Sequence, residues 1–459
     1  MEANTNPTPA PVKDKDRIHV LDAIRGIALL GILLMNIYIG GNYYDLEFTQ
    51  ALIADTGSPN FITAVIITIF FEGKMRALFC MLFGAGLMLY LIQKKRPDNP
   101  KGIWKLYYSR MFWLLLFGFF NAYVLLFYYD ILYFYAIAGM IVFLLRNMKP
   151  RYKTMILPVI VLLGVVFHNL KYGSDRATRL AYLEAMSAKE QGAELSEEQN
   201  ESVAAWDKLY AEMDFSGENL KEDTEKMKGD FSSVASVTYK KSREGQFEYL
   251  PLALADQIPL MLLGMALLQW GFFTGRWKKK WYLYTLIVGY AIGFPMAIYE
   301  FYQRYFVWSS ADAILNYIDN NPYVFFFLSD QIQRIFLVMG HVSLIVLLHK
   351  AGAFTSLFRR FEAVGQMALT NYLMQSVMVT LFFFGYGLNF FNELQLYQLY
   401  FVVFAIWILQ LIWSPIWLKY YKFGPCEWLW RTLTYRKRMP FKRYVPGEEN
   451  LVAEKISVE

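Results

Sequence analysis

The alternation of apolar and polar stretches along the chain predicts about ten helices of membrane-crossing length. They lie at roughly 21–40, 75–92, 111–129, 131–146, 154–170, 250–272, 282–299, 326–348, 367–387 and 397–418. The fourth is the shortest. The apolar run from Phe61 to Leu91 is too long for one upright span and is interrupted by FFEGKMR at Phe70 to Arg76. This pattern predicts a short helix, a turn at Gly73 and a span from about Met75, with Glu72 and Arg76 paired at i,i+4. A single tilted helix with Lys74 snorkelling to the interface is the alternative.

The first stretch, RIHVLDAIRGIALLGILLMNIYIGG from Arg17 to Gly41, carries three residues that lipid would not tolerate: Asp22, Arg25 and Asn36. At about 100° per residue all three fall near one helix face, spread over roughly 20 Å. Asp22 and Arg25 are i,i+3 neighbours, so each offsets part of the other's charge. Such a stripe needs protein or water opposite it, as a polar seam in a bundle or as one wall of a functional cavity.

Charge sets the expected orientation. The connections are basic: Lys13, Lys15 and Arg17; Lys94, Lys95, Arg96, Lys101, Lys105 and Arg110; Arg146, Lys149, Arg151 and Lys153; Arg276, Lys278, Lys279 and Lys280; His349, Lys350, Arg359 and Arg360; and the tail from Lys419 to Arg443. They fall on one side of every alternation, which the positive-inside rule assigns to the cytoplasm with both termini inside. Composition agrees with a membrane protein. Of 459 residues, 56% are apolar and 18% aromatic, too many for a soluble multidomain chain. The fold class expected is therefore all-α, a polytopic integral membrane bundle of about ten transmembrane helices. The lipid bilayer is its first partner and no nucleic acid is expected.

The expected organisation runs from a disordered cytoplasmic start at 1–16, through a first membrane block at 17–170 and an insertion at 171–248, to a second membrane block at 249–418 and a basic, aromatic cytoplasmic tail at 419–459. The first span is expected to be retained as a signal-anchor. The insertion, with 17 Asp/Glu against 11 Lys/Arg and helical spacing at Leu180, Tyr182, Leu183 and Met186, is expected outside as a helical cap without its own core.

The polar residues of the spans sort by depth into two groups. Toward the outer side fall Asn36, Tyr38, Tyr43, Glu72, Lys74, Arg76, Asn121, Asp130, Asp256, Gln257, Glu300, Asp330 and Gln331. Toward the inner side fall Asp22, Arg25, Arg110, His349, Glu362, Gln366 and Asn371, with His341 and Gln375 nearer mid-span. Two polar clusters joined by a thin polar line suit a molecule or group that passes between the two sides. For Glu300, Asp330 and Gln331 the plainer reading is the wet headgroup zone. Asp130, between two aromatic spans in FYYDILYFYAIAG, has fewer ordinary reasons to be acidic.

No phosphate-cradling glycine loop, GxSxG, HExxH or paired CxxC occurs, and the two cysteines, Cys80 and Cys426, read as packing residues. His341 and His349 are eight apart, about 80° off a common face, so no metal site is expected. A buried His341 serves either as a packed, hydrogen-bonded side chain or as a tuned base.

The blocks RIHVLDAIRGIALLGILLMN, FFEGKMRALFCMLFGAGL, DILYFYAIAG, VGQMALTNYLMQS and FGPCEWLWRTLTY together resemble the YeiB-like bacterial membrane family, domain of unknown function 418. The last block is the most specific, with Gly424, Pro425, Glu427, Trp428, Trp430 and Arg431 matching, and Asn371 and Gln375 match within another. That family has no settled activity. Its first block, LDxxRGxAL, also resembles the opening of transmembrane acyltransferases of the acyltransferase-3 and heparan glucosaminide acetyltransferase types.

That second resemblance implies transfer of an acyl group from cytoplasmic acyl-CoA, as co-substrate, to a hydroxyl or amine acceptor reached from the other side. Arg25 and Arg110 would then meet the donor phosphates, with Asp22 beside them in the same donor-binding site. The outer cluster, with Lys74 and Arg76, would hold the acceptor, and Asn371 and Gln375 are further substrate-binding candidates. A base would be found among His341, Asp130 and Glu72. Acyltransferase-3 proteins carry a histidine eleven residues after the motif arginine, where this chain has Asn36, which can donate to an oxyanion but cannot act as a base. A transporter or permease for a small polar solute fits the same clusters and the helix break at Gly73. A non-catalytic membrane partner or scaffold fits the acidic cap and basic tail.

Overall fold

The computed structural model describes residues 17–41, 46–94, 102–213 and 217–443. The predicted disordered start at 1–16, Tyr43, most of the first basic connection and the end of the tail lie outside the described residues. The chain is all-α, and each of the ten predicted stretches falls on a helix.

The first half contains α1 (His19–Asn36), α2 (Leu46–Ala54), α3 (Pro59–Phe70), α4 (Lys74–Lys94), α5 (Gly102–Tyr123), α6 (Leu132–Leu144) and α7 (Pro150–Glu190). Three helices of the insertion follow, α8 (Glu197–Met213), α9 (Glu218–Met227) and α10 (Phe231–Arg243). The second half contains α11 (Leu250–Gln269), α12 (Lys279–Tyr302), α13 (Ala311–Asn320), α14 (Phe326–Lys350), α15 (Thr355–Gln366), α16 (Ala368–Phe383), α17 (Leu396–Tyr420) and α18 (Pro425–Tyr435).

Among the described residues six helical stretches are long and apolar enough to cross a membrane, at His19–Gly40, Pro150–Glu190, Leu250–Gln269, Lys279–Val307, Phe326–Lys350 and Leu396–Tyr420. Phe401, Phe404, Ile408, Ile412 and Ile416 form an exposed stripe along α17, spaced three to four residues apart. Leu162, Leu163, Val166 and Leu170 expose a second on α7. Apolar faces left uncovered by protein at helical period are what a bilayer solvates. This is a polytopic membrane helical bundle.

The helix break near residue 73 follows from local chemistry. Ser58 starts α3, its hydroxyl accepting the Phe61 N–H at 3.2 Å with Pro59 at the first position, and Gly73 turns the chain at φ +72°. The Glu72–Arg76 pair does not form. Glu72 sits in the turn rather than on α4, so the i,i+4 relation has no helix to act through. It accepts instead from Arg304 at 2.7 Å, while Arg76 pairs with Asp256.

α1 runs through the middle of the bundle between two apolar cores, one built around its residues up to Ile32 and the other from Leu33 onward. Glycines let its neighbours approach at backbone distance. A Cβ on Gly26 would lie 2.0 Å from the Phe361 carbonyl oxygen of α15. The α4–α11 crossing is closed the same way, where a Cβ on Gly264 would lie 1.9 Å from the Met81 carbonyl oxygen.

The insertion is helical, and α7 crosses residue 170 without a break. Arg179 of α7 pairs with Asp319 of α13 at 3.1 Å, and the Gly385 N–H donates to the Met227 carbonyl at 2.9 Å, tying α9 to the loop after α16.

Candidate functional site

The N-terminal part of α1, with α4, α5, α6, α16 and α18, encloses a cavity of about 290 Å³. Its rim carries four guanidinium groups, Arg17, Arg25, Arg110 and Arg431, against Asp22 and Glu427. Deeper in, Phe79, Leu82, Phe83, Met111, Leu114 and Leu132 make an apolar wall. Arg25 donates to Asp22 at 2.6 Å, the predicted i,i+3 pair. Arg110 stacks 3.9 Å over the Trp430 ring, whose indole N–H donates to the Arg110 carbonyl at 2.9 Å. Arg431 stacks over Phe423 at 4.5 Å. Aromatic rings thus hold these two guanidiniums without consuming their charge.

The tail block that builds this rim has a structural task as well. Glu427 accepts the backbone N–H groups of Leu369 at 2.6 Å and Thr370 at 3.1 Å, and the Thr370 hydroxyl at 2.6 Å. It therefore caps α16, satisfying donors that have no partner inside the helix. Gly424 leaves room for it, since a Cβ there would meet the Glu427 Oε2 at 2.2 Å.

The C-terminal part of α1 faces a second cavity of about 300 Å³, made with α4, α12 and α14. It is lined by Asn36, Glu72, Lys74, Arg76, Glu300, Arg304, Asp330, Gln333 and Arg334. Asp256 stands behind the lining and holds two cations, Arg76 and Arg334, the latter at 2.7 Å. Arg334 also pairs with Asp330 at 2.6 Å. Glu300 and Gln331, which the headgroup reading placed in water, are buried. Both are hydrogen-bonded inside the bundle, Glu300 accepting from Gln333 at 2.8 Å and Gln331 donating to Asp256.

On α1 the first cavity reaches Arg25 and the second begins at Ile32, a separation of about 10 Å along the helix. Between them lies a septum. The Tyr135 side chain lines the first cavity and donates to the carbonyl of Arg76, which lines the second, at 3.1 Å. Asp130 is buried there, accepting from Asn121 at 2.9 Å and from the Tyr133 N–H at 2.9 Å. The Tyr372 hydroxyl accepts the Ile131 N–H at 3.1 Å and lies 3.5 Å from Asp130 Oδ1. Asp130 therefore also supports the first turn of α6.

The structure brings most of the sequence candidates into one line: Asp22, Arg25 and Arg110 around the first cavity, Asp130 in the septum, and Asn36, Glu72, Lys74 and Arg76 around the second. Three fall elsewhere. His341 lines neither cavity; Nδ1 faces the Tyr290 hydroxyl at 2.9 Å and Nε2 the Phe70 carbonyl at 2.9 Å, an arrangement that uses both ring nitrogens in packing α12 and α3 on α14. Asn371 is hydrogen-bonded to Val364, Trp413 and Ser414, and Gln375 to Gln410, forming a seam between α16 and α17. Among the described residues no group of three or more His, Cys, Asp or Glu is arranged to hold a metal ion.

Arg304, Gln333 and Arg334 were not singled out by the sequence. Arg334 had a signal, an arginine four residues after Asp330 within an otherwise apolar span, the spacing of a helical ion pair.

Residues 267–437 match a family model described as a protein of unknown function, DUF418. Over 446 residues the chain is 26% identical to the uncharacterized protein YxaH of Bacillus subtilis strain 168, covering 94% of this chain and 98% of that protein. Over 444 residues it is 28% identical to the uncharacterized protein YeiB of Escherichia coli K12, covering 93% and 98%. A shorter stretch of 100 residues is 38% identical to an uncharacterized 39.9 kDa protein of Bacillus acidopullulyticus, covering 22% of this chain and 28% of that protein. No solved structure matches. The chain is a multi-pass membrane protein similar to uncharacterized bacterial proteins of the DUF418 and YeiB kind, consistent with the inner membrane. None of the proteins named here carries an acyltransferase description.

Proposed function

We propose that the chain is an acyltransferase-like membrane protein that passes an acyl group from acyl-CoA to a hydroxyl or amine acceptor on the other side of the bilayer. The carrying observation is the first cavity, whose arginine rim and apolar depth match a donor with a polyanionic head and a long, less polar arm ending in a thioester. In this reading the end that carries the basic connections, with both termini, faces the cytoplasm, as the positive-inside rule favours. The donor head meets Arg25, Arg110 and Arg431, and the thioester reaches Leu132 and Tyr372 at the septum.

The acceptor approaches from the charged cavity. Its oxygen or nitrogen bonds to the thioester carbonyl carbon, the carbon–sulfur bond breaks, and coenzyme A leaves as the thiolate. The acceptor's proton passes through the Tyr372 hydroxyl to Asp130 and from there to the thiolate, so that the products are the acylated acceptor and the free thiol.

The test is calorimetry of acetyl-CoA and longer acyl-CoA species with the detergent-solubilised protein. Saturable binding, weakened about tenfold or more in Arg110→Ala and Arg25→Ala, is expected. Absence of binding by folded protein would remove the reading. A transporter for a small polar solute is favoured instead by the two separate cavities at opposite ends of α1. Solute flux into vesicles without any transfer of labelled acyl group would establish it.

A further inference from the structure

The charged cavity holds one cation and one anion that lie among opposite charges but make no direct ion pair among the described residues. Lys74 is 2% exposed, and its ammonium donates to the Thr68 carbonyl at 2.8 Å but forms no ion pair among the described residues. Glu300 is 8% exposed, accepts from Gln333 at 2.8 Å beside the Ser329 hydroxyl, and likewise has no direct ion pair among the described residues. Both line the same cavity, and they do not pair with each other. An ammonium and a carboxylate buried apart are each costly unless something compensates them.

The neighbouring neutral and charged groups are unfinished in the same sense. Arg334, 2% exposed, uses Nε and Nη2 on Asp330 and Asp256, while its Nη1 has no partner. Gln333, also 2% exposed, gives its amide N–H to Glu300 and Asp330, while its Oε1 has none. Oε1 of Glu300 is unpartnered too. The lining thus carries one unpartnered donor, Arg334 Nη1, and two unpartnered acceptors, the Oε1 atoms of Gln333 and Glu300.

The cavity as a whole is balanced in charge. Lys74, Arg76, Arg304 and Arg334 are offset by Glu72, Glu300, Asp330 and the adjoining Asp256. A lone anion would bring a further negative charge beside Glu300, and a lone cation a further positive charge beside Lys74. A neutral sugar would satisfy the hydrogen bonds but neither charge.

We infer that this cavity binds a small zwitterion of amino-acid size, with its carboxylate on Lys74 and Arg334 Nη1 and its ammonium on Glu300 and Gln333 Oε1. The volume of about 300 Å³ is at the small end of ligand pockets, as such a solute requires. The inference does not depend on acyl transfer, since the bound zwitterion serves equally as an acceptor or as a carried solute.

The test is calorimetry on the full-length, detergent-solubilised protein with no acyl donor present, using L-alanine and L-glutamine as probes. Propionate and ethylammonium supply each half of alanine alone, and glucose supplies hydroxyls without charge. Saturable binding of the amino acids is expected, with each single-charge probe and glucose at least about tenfold weaker. Glu300→Gln and Lys74→Met should each weaken amino-acid binding by about tenfold or more. Arg110→Ala, in the other cavity, should leave it unchanged. Where Lys74→Met does not fold, Arg334→Lys keeps the charge and lacks the free Nη1, and it should show the same loss. No amino-acid binding by folded protein, equal binding of glucose or of one half-probe, or unchanged binding in the variants would overturn the inference. Donor binding in the first cavity remains separately measurable, so failure here and failure of the acyl-transfer reading are distinct results.

Discussion

Gly26 of α1 and Gly365 of α15 face each other so closely that neither has room for a side chain. A Cβ on Gly365 would lie 2.0 Å from the Asp22 carbonyl oxygen, and one on Gly26 would lie 2.0 Å from that of Phe361. The glycine of the LDAIRG block is thus met by the glycine of the VGQMALTN block. This contact holds Asp22 and Arg25 at the mouth of the first cavity.

Gly365→Ala should destabilise the protein by about 1–3 kcal/mol, because the two helices must separate to admit the methyl group. Gly173→Ala, on a stretch of α7 with open space around it, should be neutral or slightly stabilising. Thermal unfolding of the two variants in one detergent checks the difference, and equal melting temperatures would show that α1 and α15 yield without cost.

Glu427→Gln removes the carboxylate that accepts from Leu369, Thr370 N–H and the Thr370 hydroxyl. A loss of about 1–3 kcal/mol is expected, since one amide oxygen replaces a charged acceptor serving three donors. Hydrogen exchange should quicken first at the start of α16. Uniform loosening of the whole bundle would argue against a capping role.

Around Asp256 the losses should be unequal. Arg334→Gln leaves Asp256 held by Arg76, whereas Asp256→Asn leaves two buried or half-buried guanidiniums facing each other. Breaking a buried pair from one side costs about 3–5 kcal/mol, so Asp256→Asn should fall at or above that range and Arg334→Gln at or below it. Chemical unfolding of both variants orders them, and the reverse order would mean that Asp330 rather than Asp256 is the main partner of Arg334.

Asp130→Asn retains an oxygen for the Tyr133 N–H and preserves size, so the fold should persist with a change within about 1 kcal/mol. Transfer of labelled acyl group should fall by about 100-fold or more, the usual worth of a positioned base. Donor binding measured by calorimetry should not change. Full transfer activity in this variant would leave Asp130 as a support for α6 and nothing more.

The helices and the polar stripe of α1 were legible in the sequence because each is a local property. Ten apolar stretches at helical length, a turn at Gly73 and the Asp22–Arg25 pair depend on neighbours within a few residues. Side-chain partners across the bundle do not. Arg76 looked like the partner of Glu72 by spacing, yet a break in the helix turned it to Asp256, 180 residues away. His341 had the chemistry of a base, but packing spent both its nitrogens on Tyr290 and Phe70. Asn371 and Gln375 shared a helix face as predicted, and that face met α17 rather than a cavity. Composition and periodicity determine which residues can enter a membrane and as what. Which charges meet inside it is set by how glycine-lined helices come together, because a polar group in an apolar interior pairs with whatever the packing brings within reach.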